Sequence, residues 1–428
     1  MAVIVVAGGQ WGDEGKGRII DLLAQKAKLV VRFSGGDNAG HTVINPYGNF
    51  RLHLVPSGIF YPQSICIIGN GVVINPTVLF KEIDDLQNHG IDISRFFISD
   101  RAHLIMPYHI LLDELEEKRR NKGSLGTTHR GIGPTFADKV ARLGIRVGDL
   151  LNKDVFYSRL KSALELKNSI LTKIYQVSPL SLEEIYTQYC RHGEQLAPFI
   201  RETNSIIHEV LQKGEPVLLE GAQGALLDTD FGTYPYVTSS SPLTGAGTIG
   251  TGIGPTKIDG TVGIFKAYIT RVGSGPMPTE IKDEFGDLIR EKAHEYGATT
   301  GRPRRCGWFD AVAGRFSVQI NGFDDIALTH LDIYDGFPSI KICTAYKFND
   351  NILTSFPSDV TVLEKCQPIY EEMDGWQEST SEIQDFEKLP LGARNYISRL
   401  ESILSCPISL ISVGPVRGQI IEMKTLLS

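Results

Sequence analysis

The sequence predicts an α/β protein with a large, mostly parallel central sheet, flanking helices and a helical insertion. Short apolar runs beside glycine turns alternate with helical patterns, which is typical of parallel sheets. The runs are VIVVA (3–7), LVVRF (29–33), ICIIG (65–69), PVLLEG (216–221), TVGIFKAY (261–268), DIALTH (325–330), KICTAY (341–346) and PISLISVG (407–414). Residues 153–213 instead show helical periodicity with few glycines. We therefore expect a single α/β catalytic domain over 1–428, with a helical subdomain at about 153–213.

The composition favours a globular enzyme and argues against a nucleic-acid-binding or membrane-spanning protein. Of the 428 residues, 42% are hydrophobic and 22% are charged, which is ordinary for a globular enzyme. The net charge of −7 argues against a general nucleic-acid binder. The six cysteines show no metal-finger spacing, and no apolar run approaches the ~20 residues of a membrane span. We expect a cytoplasmic protein with no nucleic-acid or membrane partner.

The first predicted turn, GGQWGDEGKGR (8–18), lies between the first apolar run and the helical pattern IIDLLAQKA (19–27). Glycine-rich turns in this position usually bind phosphates with their backbone amides. A standard P-loop reads GxxxxGK[ST], whereas Lys16 is followed by Gly17 here, so the motif is a degenerate P-loop. Asp13 fits a Mg²⁺ ligand or a general base. The alternative for Asp13 is a partner of the helix dipole, a role that suits Glu14 better.

Glycine-rich loops recur downstream and predict further anion-binding turns. The chain has 44 glycines, and they concentrate in GGDNAGHT (35–42), GTTHRGIGPT (126–135), GAQG (221–224), TGAGTIGTGIGPT (244–256), RVGSGPMPT (271–279) and GATTGRPRR (297–305). Backbone amides without bulky side chains converge readily on anionic oxygens. Several such loops suggest that several anionic groups are bound together.

The motif QWGDEGKGR, followed in order by GGDNAGHT, GTTHRGIGP, EGAQGALLD, GTYPYVTSS, GATTGRPRR and THLDIYDG, resembles the adenylosuccinate synthetase family. The resemblance runs from residue 3 to about residue 417. It implies a P-loop-NTPase-like fold and a ligase that condenses IMP with L-aspartate, through 6-phosphoryl-IMP. GTP and Mg²⁺ would be required, and adenylosuccinate, GDP and phosphate would be the products.

The resemblance implies a role for each matching residue. Asp13 would be the general base and, with the carbonyl of Gly40, a metal ligand. Lys16 would clamp phosphoryl oxygens, His41 would stabilise charge on the leaving GDP, and Gln223 would contact the inosine 6-oxygen. The implied GTP-binding residues are Gly12, Gly15, Lys16, Gly17, Gly40, His41, Thr42, Arg304, His330, Asp332, Ser412 and Gly414. The implied IMP-binding residues are Asn38, Thr128, Arg142, Gln223, Thr238 and Arg302, with Thr299, Thr300 and Arg302 for aspartate.

Two of these positions carry particular consequences. A carboxylate at Asp332 can accept both the N1–H and the 2-amino group of guanine, which adenine lacks. His330 stands where the family commonly has lysine, so base selection would depend on Asp332. The family also implies a homodimer in which Arg142 reaches the IMP phosphate of the partner subunit.

Two other functions compete with the ligase. A GTP-binding switch would also use Asp332, but it needs neither the second glycine loop at 126–134 nor GATTGRPRR. A non-catalytic nucleotide-binding paralogue is the other alternative. The presence of Asp13, Lys16, His41 and Arg302 argues against it.

Overall fold

The computed structural model describes residues 3–45, 47–296, 301 and 303–427. The strands are β1 (Val3–Gly8), β2 (Leu29–Arg32), β3 (His41–Asn45), β4 (Gly48–Leu52), β5 (Ile65–Ile68), β6 (Val73–Ile74), β7 (Phe96–Ser99), β8 (His103–Leu104), β9 (Ile200–Arg201), β10 (Val217–Glu220), β11 (Gly260–Lys266), β12 (Ile269–Arg271), β13 (Arg305–Gly307), β14 (Phe309–Asp310), β15 (Asp325–Thr329), β16 (Phe337–Phe348), β17 (Asn351–Leu353), β18 (Gln367–Trp376), β19 (Ile408–Ser412) and β20 (Ile420–Glu422). The α-helices are α1 (Lys16–Ala24), α2 (Pro76–Asn88), α3 (Pro107–Arg120), α4 (Ile132–Ala141), α5 (Lys153–Lys173), α6 (Leu182–Leu196), α7 (Thr203–Gln212), α8 (Ala246–Ile249), α9 (Glu284–Lys292), α10 (Ala311–Asn321), α11 (Val360–Lys365) and α12 (Leu391–Leu404).

The described residues form a central sheet of ten strands in the order β20-β19-β15-β11-β1-β10-β2-β5-β7-β9. Every pair is parallel except β19 with β20. Strands β1, β2 and β10 are buried along their whole length, because helices cover both faces of the sheet. The predicted parallel α/β architecture is therefore confirmed.

One predicted run lies outside that sheet. KICTAY (341–346) belongs to β16, which pairs with β14, β17 and β18 in a second sheet. The long pairing of β16 with β18 is antiparallel. An apolar run indicates a buried strand but does not identify its neighbours, so the sequence did not show that this run belongs to a second sheet.

The segment 153–213 is helical, but it is also part of the central sheet. It contains α5, α6 and α7, and between the last two the short strand β9 pairs with β7 at the sheet edge. Two residues are too few to show a strand period, so the sequence pattern missed β9. Buried residues of α5 and α6, including Phe156 and Tyr189, belong to the same hydrophobic cluster as the sheet.

The strand order determines which loops meet. Strands β15, β11, β1, β10 and β2 are adjacent and parallel, so their carboxyl ends share one edge of the sheet. The degenerate P-loop follows β1 and leads into α1, while GGDNAGHT follows β2 and GAQG follows β10. Ligands of open parallel sheets bind at this edge. In the described part of the chain, no helix combines the length and apolar character needed to cross a bilayer.

Candidate active site

A cavity of about 740 Å³ opens at the carboxyl edge of the central sheet. Most of the predicted site residues line it: Gly12, Asp13, Gly15, Lys16, Gly17, Asn38, Gly40, His41, Thr42, Thr128, Gln223, Thr238, Arg304 and His330. Four predicted residues are not part of its lining: Arg142, Asp332, Ser412 and Gly414. Thr299, Thr300 and Arg302 lie outside the described residues.

The carboxylate of Glu14 organises the degenerate P-loop from within. Its side chain is fully buried, and Oε1 accepts hydrogen bonds from the backbone N–H groups of Gln10 (3.0 Å) and Gly12 (2.8 Å). Lys16 Nζ lies 2.6 Å from Glu14 Oε2. A Cβ atom on Gly224 would stand 2.3 Å from Oε1, so only glycine leaves room for this carboxylate. An internal anion thus occupies two amides that a P-loop would offer to phosphate.

Asp13 faces the cavity from a strained position in the same loop. Its φ of 59° lies in the left-handed region, which is uncommon for residues other than glycine. Its side chain is 31% exposed, and Oδ2 lies 2.8 Å from Arg304 Nε. This contact is an ion pair and is not aligned as a hydrogen bond. Asp13 is therefore both held by a cation and accessible from the cavity.

A buried acidic residue holds Arg304 from the other side. Arg304 Nη1 donates to Glu295 Oε2 at 2.6 Å, and Glu295 Oε1 accepts from Lys266 Nζ (2.6 Å) and the Tyr268 hydroxyl (2.5 Å). Burial alone would raise the pKa of Glu295, but the charges of Lys266 and Arg304 outweigh it and lower the pKa to about 2. The ionised Glu295 therefore orients Arg304 toward Asp13.

His41 lies at the start of β3, against Gly17 in the first turn of α1. Its Nε2 and the Ser57 hydroxyl are hydrogen-bonded at 2.8 Å, and Glu220 Oε1 is 3.9 Å from the same nitrogen. Burial, together with the positive charges of Arg32 and Lys16, lowers the pKa of His41 well below its usual range. His41 is therefore a neutral imidazole in the free protein, and it can donate one N–H toward a ligand.

Gln223 joins two loops across the cavity. Its side-chain amide donates to Asn38 Oδ1 at 3.1 Å and accepts from the Ser240 hydroxyl at 3.2 Å. Ser240 and Thr238 share a further contact of 3.4 Å between hydroxyl oxygens. Three predicted residues from distant parts of the sequence thus form one polar chain.

Asp332 and Ser412 lie behind Arg18, which lines the cavity. Arg18 Nη1 donates to the Ser412 hydroxyl at 2.6 Å, and Ser412 donates to the carbonyl of Gly414 at 3.1 Å. Burial raises the pKa of Asp332, and the nearby charge of Arg18 partly opposes that effect. The sequence interpretation gave Arg18 no role, although it ends the quoted motif GDEGKGR.

His330 occupies the turn between β15 and the Asp332 segment. Its φ of 60° is left-handed, and burial with the charges of Lys266 and Arg18 lowers its pKa well below the usual range. His330 therefore lines the cavity as a neutral imidazole.

Thr128 and Arg142 lie at opposite ends of α4. Thr128 belongs to the loop before this helix and lines the cavity. Arg142 ends the helix with a left-handed φ of 65° and is exposed to solvent. The described chain thus does not bring Arg142 to its own cavity.

Several residues that shape this site were missed by sequence reasoning. They are Arg18, Arg32, Ser57, Asp113, Glu117, Glu220, Arg271 and Glu295. Most stand outside the glycine-rich motifs, and their partners are distant in sequence, as for Glu220 with Ser57. One sequence feature could have pointed to two of them. The buried apolar strands β2 and β10 each end in a charged residue, Arg32 and Glu220, which is unusual for a buried strand.

The sheet and its cavity define a P-loop-like α/β enzyme with a modified first loop. The adenylosuccinate synthetase family model matches residues 5–421. An adenylosuccinate synthetase of Dehalococcoides mccartyi is 59% identical over 98% of this chain and all of its own length. One from Caldanaerobacter subterraneus is 52% identical over 99% of this chain and all of its own. The chain belongs to the adenylosuccinate synthetase family and is a ligase that forms a carbon–nitrogen bond.

A solved structure agrees with this assignment. The fully ligated adenylosuccinate synthetase of Plasmodium falciparum superposes with a TM-score of 0.93. It is 37% identical, and the match covers 99% of this chain and 100% of that one. The nearly complete coverage means that the whole chain, rather than one segment, shares the fold.

Proposed function

We propose that this chain joins IMP to L-aspartate at the expense of GTP, with Asp13 as the base that starts the reaction. The observation that supports this role best is the accessible Asp13 carboxylate beside Arg304, in a cavity shared with Lys16 and His41. Asp13 removes the N1 proton of IMP, and the 6-oxygen gains the negative charge. That oxygen attacks the γ-phosphorus of GTP, and GDP leaves. The aspartate amine then displaces phosphate from C6.

Lys16 and His41 stabilise the charge that develops on the phosphoryl oxygens. Phosphoryl transfer depends mainly on positioned donors and cations. Lys16 is paired with Glu14, which places its ammonium at the beginning of α1. His41 Nε2 contacts the Ser57 hydroxyl, and when the imidazole carries its proton on Nδ1, that N–H is available to the leaving diphosphate.

Gln223 and Asn38 position the base of IMP. Their side chains are joined at 3.1 Å on the cavity wall, which gives a purine 6-oxygen and its neighbouring ring nitrogen adjacent donors and acceptors. Thr128 and Thr238 bind the 5′-phosphate. Thr299, Thr300 and Arg302 bind aspartate; these three assignments come from the sequence alone.

The residues of the site also fit Mg²⁺. No group of three or more His, Cys, Asp or Glu side chains suited to a metal occurs in the described part of the chain. Mg²⁺ bound with nucleotide phosphates needs only one or two carboxylates, because phosphates and water complete its six ligands. The accessible carboxylate of Asp13 and the carbonyl of Gly40 would hold it. When bound, the ion would neutralise charge on the transferred phosphoryl group.

The homodimer and the cytoplasmic location are further parts of the proposal. Arg142 is exposed outside its own cavity, which suits a residue that acts in a partner subunit. Sedimentation equilibrium tests the dimer, because a monomer would have the 47.2 kDa mass of one chain. The single catalytic domain with a helical part at about 153–213 remains our proposal for the organisation.

A component-omission assay tests the proposed function. Absorbance is followed while protein, IMP, GTP, Mg²⁺ and L-aspartate are mixed, with each component left out in turn. We expect a change only in the complete mixture. GTP hydrolysis that ignores IMP would favour the GTP-binding switch, and binding without turnover would favour the non-catalytic paralogue.

Substitution of Asp332 tests how the base of GTP is chosen. Asn in place of Asp332 keeps the shape but replaces one acceptor by a donor, which would face a guanine N–H. We expect the ratio of kcat/KM for GTP to that for ATP to fall by about tenfold or more, since a charged hydrogen bond contributes roughly 1.5–3 kcal/mol. Steady-state kinetics with each nucleotide measure the ratio. An unchanged ratio would contradict the assignment of Asp332.

A further inference from the structure

Two acidic residues of α3 are buried against the loop of residues 124–131. Asp113 and Glu117 are four residues apart, so they lie on the same face of the helix. They are only 6% and 7% exposed. Neither has a role in the reaction proposed above, so their role has to be inferred from their hydrogen bonds.

Glu117 binds the first part of the loop. Its Oε2 accepts from the Ser124 hydroxyl (2.6 Å) and the Gly126 N–H (3.0 Å), and its Oε1 accepts from the Leu125 N–H (3.1 Å). Burial favours the neutral acid, but these hydrogen bonds outweigh it and lower the pKa of Glu117. The side chain is therefore a carboxylate, with both oxygens engaged.

Asp113 binds the later part of the same loop. Its Oδ1 accepts from the Thr127 hydroxyl at 2.9 Å, and its Oδ2 accepts from the Gly131 N–H at 2.9 Å. The five donors that the two carboxylates collect all belong to the 124–131 loop. Two acidic side chains four residues apart on one face do not stabilise a helix, so the contacts of Asp113 and Glu117 serve the conformation of this loop.

The loop is also confined on its other side. A Cβ atom on Gly126 would lie 3.4 Å from the Cα atom of Gly273, in a turn whose residues Val272 and Ser274 line the cavity. The loop thus lies between α3 and that turn. Thr128, between the two carboxylate-bound parts, lines the cavity.

We infer that Asp113 and Glu117 are positioning residues for the phosphate of the nucleotide substrate. They engage the loop's donors on the side of α3, and so hold Thr128 and its neighbours in one arrangement around the phosphate. The inference rests on the proposed function, in which Thr128 binds the 5′-phosphate of IMP. It adds that Asp113 and Glu117 hold the loop in its binding conformation before IMP arrives.

The Glu117→Gln variant tests the inference. The amide has nearly the same shape, but its NH₂ group faces one of the loop's own donors. We expect the KM for IMP to rise by about tenfold, because a buried donor then lacks its charged acceptor. The kcat and the KM values for GTP and aspartate should change by less than about twofold. Glu114→Gln, on the same helix but outside the cavity lining, is the matched control and should resemble the wild type.

Equilibrium binding separates positioning from general loosening of the fold. The Kd ratio of inosine to IMP reports the contribution of the phosphate, and it should fall in Glu117→Gln but not in Glu114→Gln. An unchanged ratio, or equal increases in all three KM values, overturns the inference.

A milder variant covers the case in which Glu117→Gln fails to fold. Ser124→Ala removes one of the five bonds from the loop side, and a rise of about threefold in the KM for IMP is expected; no rise overturns the inference. If the wild-type protein shows no IMP-dependent turnover, the proposed function itself is wrong. If the wild type turns over normally and neither Glu117→Gln nor Ser124→Ala changes the KM for IMP, only the inference about the loop is wrong.

Discussion

The Asp13→Asn variant is expected to lose between about 10²-fold and 10⁴-fold in kcat, the usual contribution of a general base. Asparagine has nearly the same volume but cannot take the N1 proton of IMP. Without that transfer the 6-oxygen stays a neutral carbonyl, which is a poor nucleophile toward phosphorus. The loss should therefore appear in the chemical step, and binding of GTP and IMP should largely persist.

Isotope exchange locates the defect. In wild-type protein with IMP and no aspartate, reversible phosphoryl transfer should scramble the labelled oxygens between the bridging and non-bridging positions of GTP. Asp13→Asn should show no scrambling above background, while calorimetry should still detect binding of both nucleotides. Because the substitution also removes the ion pair with Arg304, the melting temperature is measured alongside. Wild-type turnover in a well-folded Asp13→Asn protein would refute the proposed base.

Replacing Glu14 is expected to produce the second large effect, through the architecture of the loop. Its carboxylate holds the N–H groups of Gln10 and Gly12, and it pairs with Lys16, whose side chain is only 12% exposed. In Glu14→Gln the amide oxygen keeps the backbone bonds, and its NH₂ group then faces the Lys16 ammonium. Removing one partner of a buried ion pair lowers the free energy of unfolding by about 3–5 kcal/mol, because the other charge stays buried without compensation. Turnover should fall as well, because Lys16 loses the partner that positions it.

A double variant separates the loss of stability from the loss of turnover. Glu14→Gln combined with Lys16→Met removes both charges, and much of the lost stability should return, because the uncompensated cation is gone. Activity should not return, since the phosphoryl clamp is absent. Urea unfolding and steady-state turnover of wild type, single and double variants complete this cycle. If Glu14→Gln is as stable as the wild type, the buried pair of Glu14 with Lys16 does not stabilise the loop.

The modified P-loop shows where reasoning from sequence was sufficient and where it was not. The degenerate spacing and the carboxylates at Asp13 and Glu14 were visible, and the helix-dipole role was judged to suit Glu14 better. The structure gives Glu14 a different role, as the internal anion of the loop. Which way a side chain points in a tight turn depends on contacts such as that with Gly224, which is more than 200 residues away.

The sequence by itself determined the class of fold and the identity of the motifs. Apolar runs predict strands buried on both faces, and the glycine turns after them predict loops at one edge, because both patterns arise from local chain chemistry. The family resemblance rested on the same local blocks. The tertiary structure alone decided strand order, the exclusion of KICTAY from the central sheet, and the pairing of β9 with β7. It also brought Arg304 into contact with both Asp13 and Glu295. Such pairings depend on the packing of distant segments, and no local pattern in the chain encodes them.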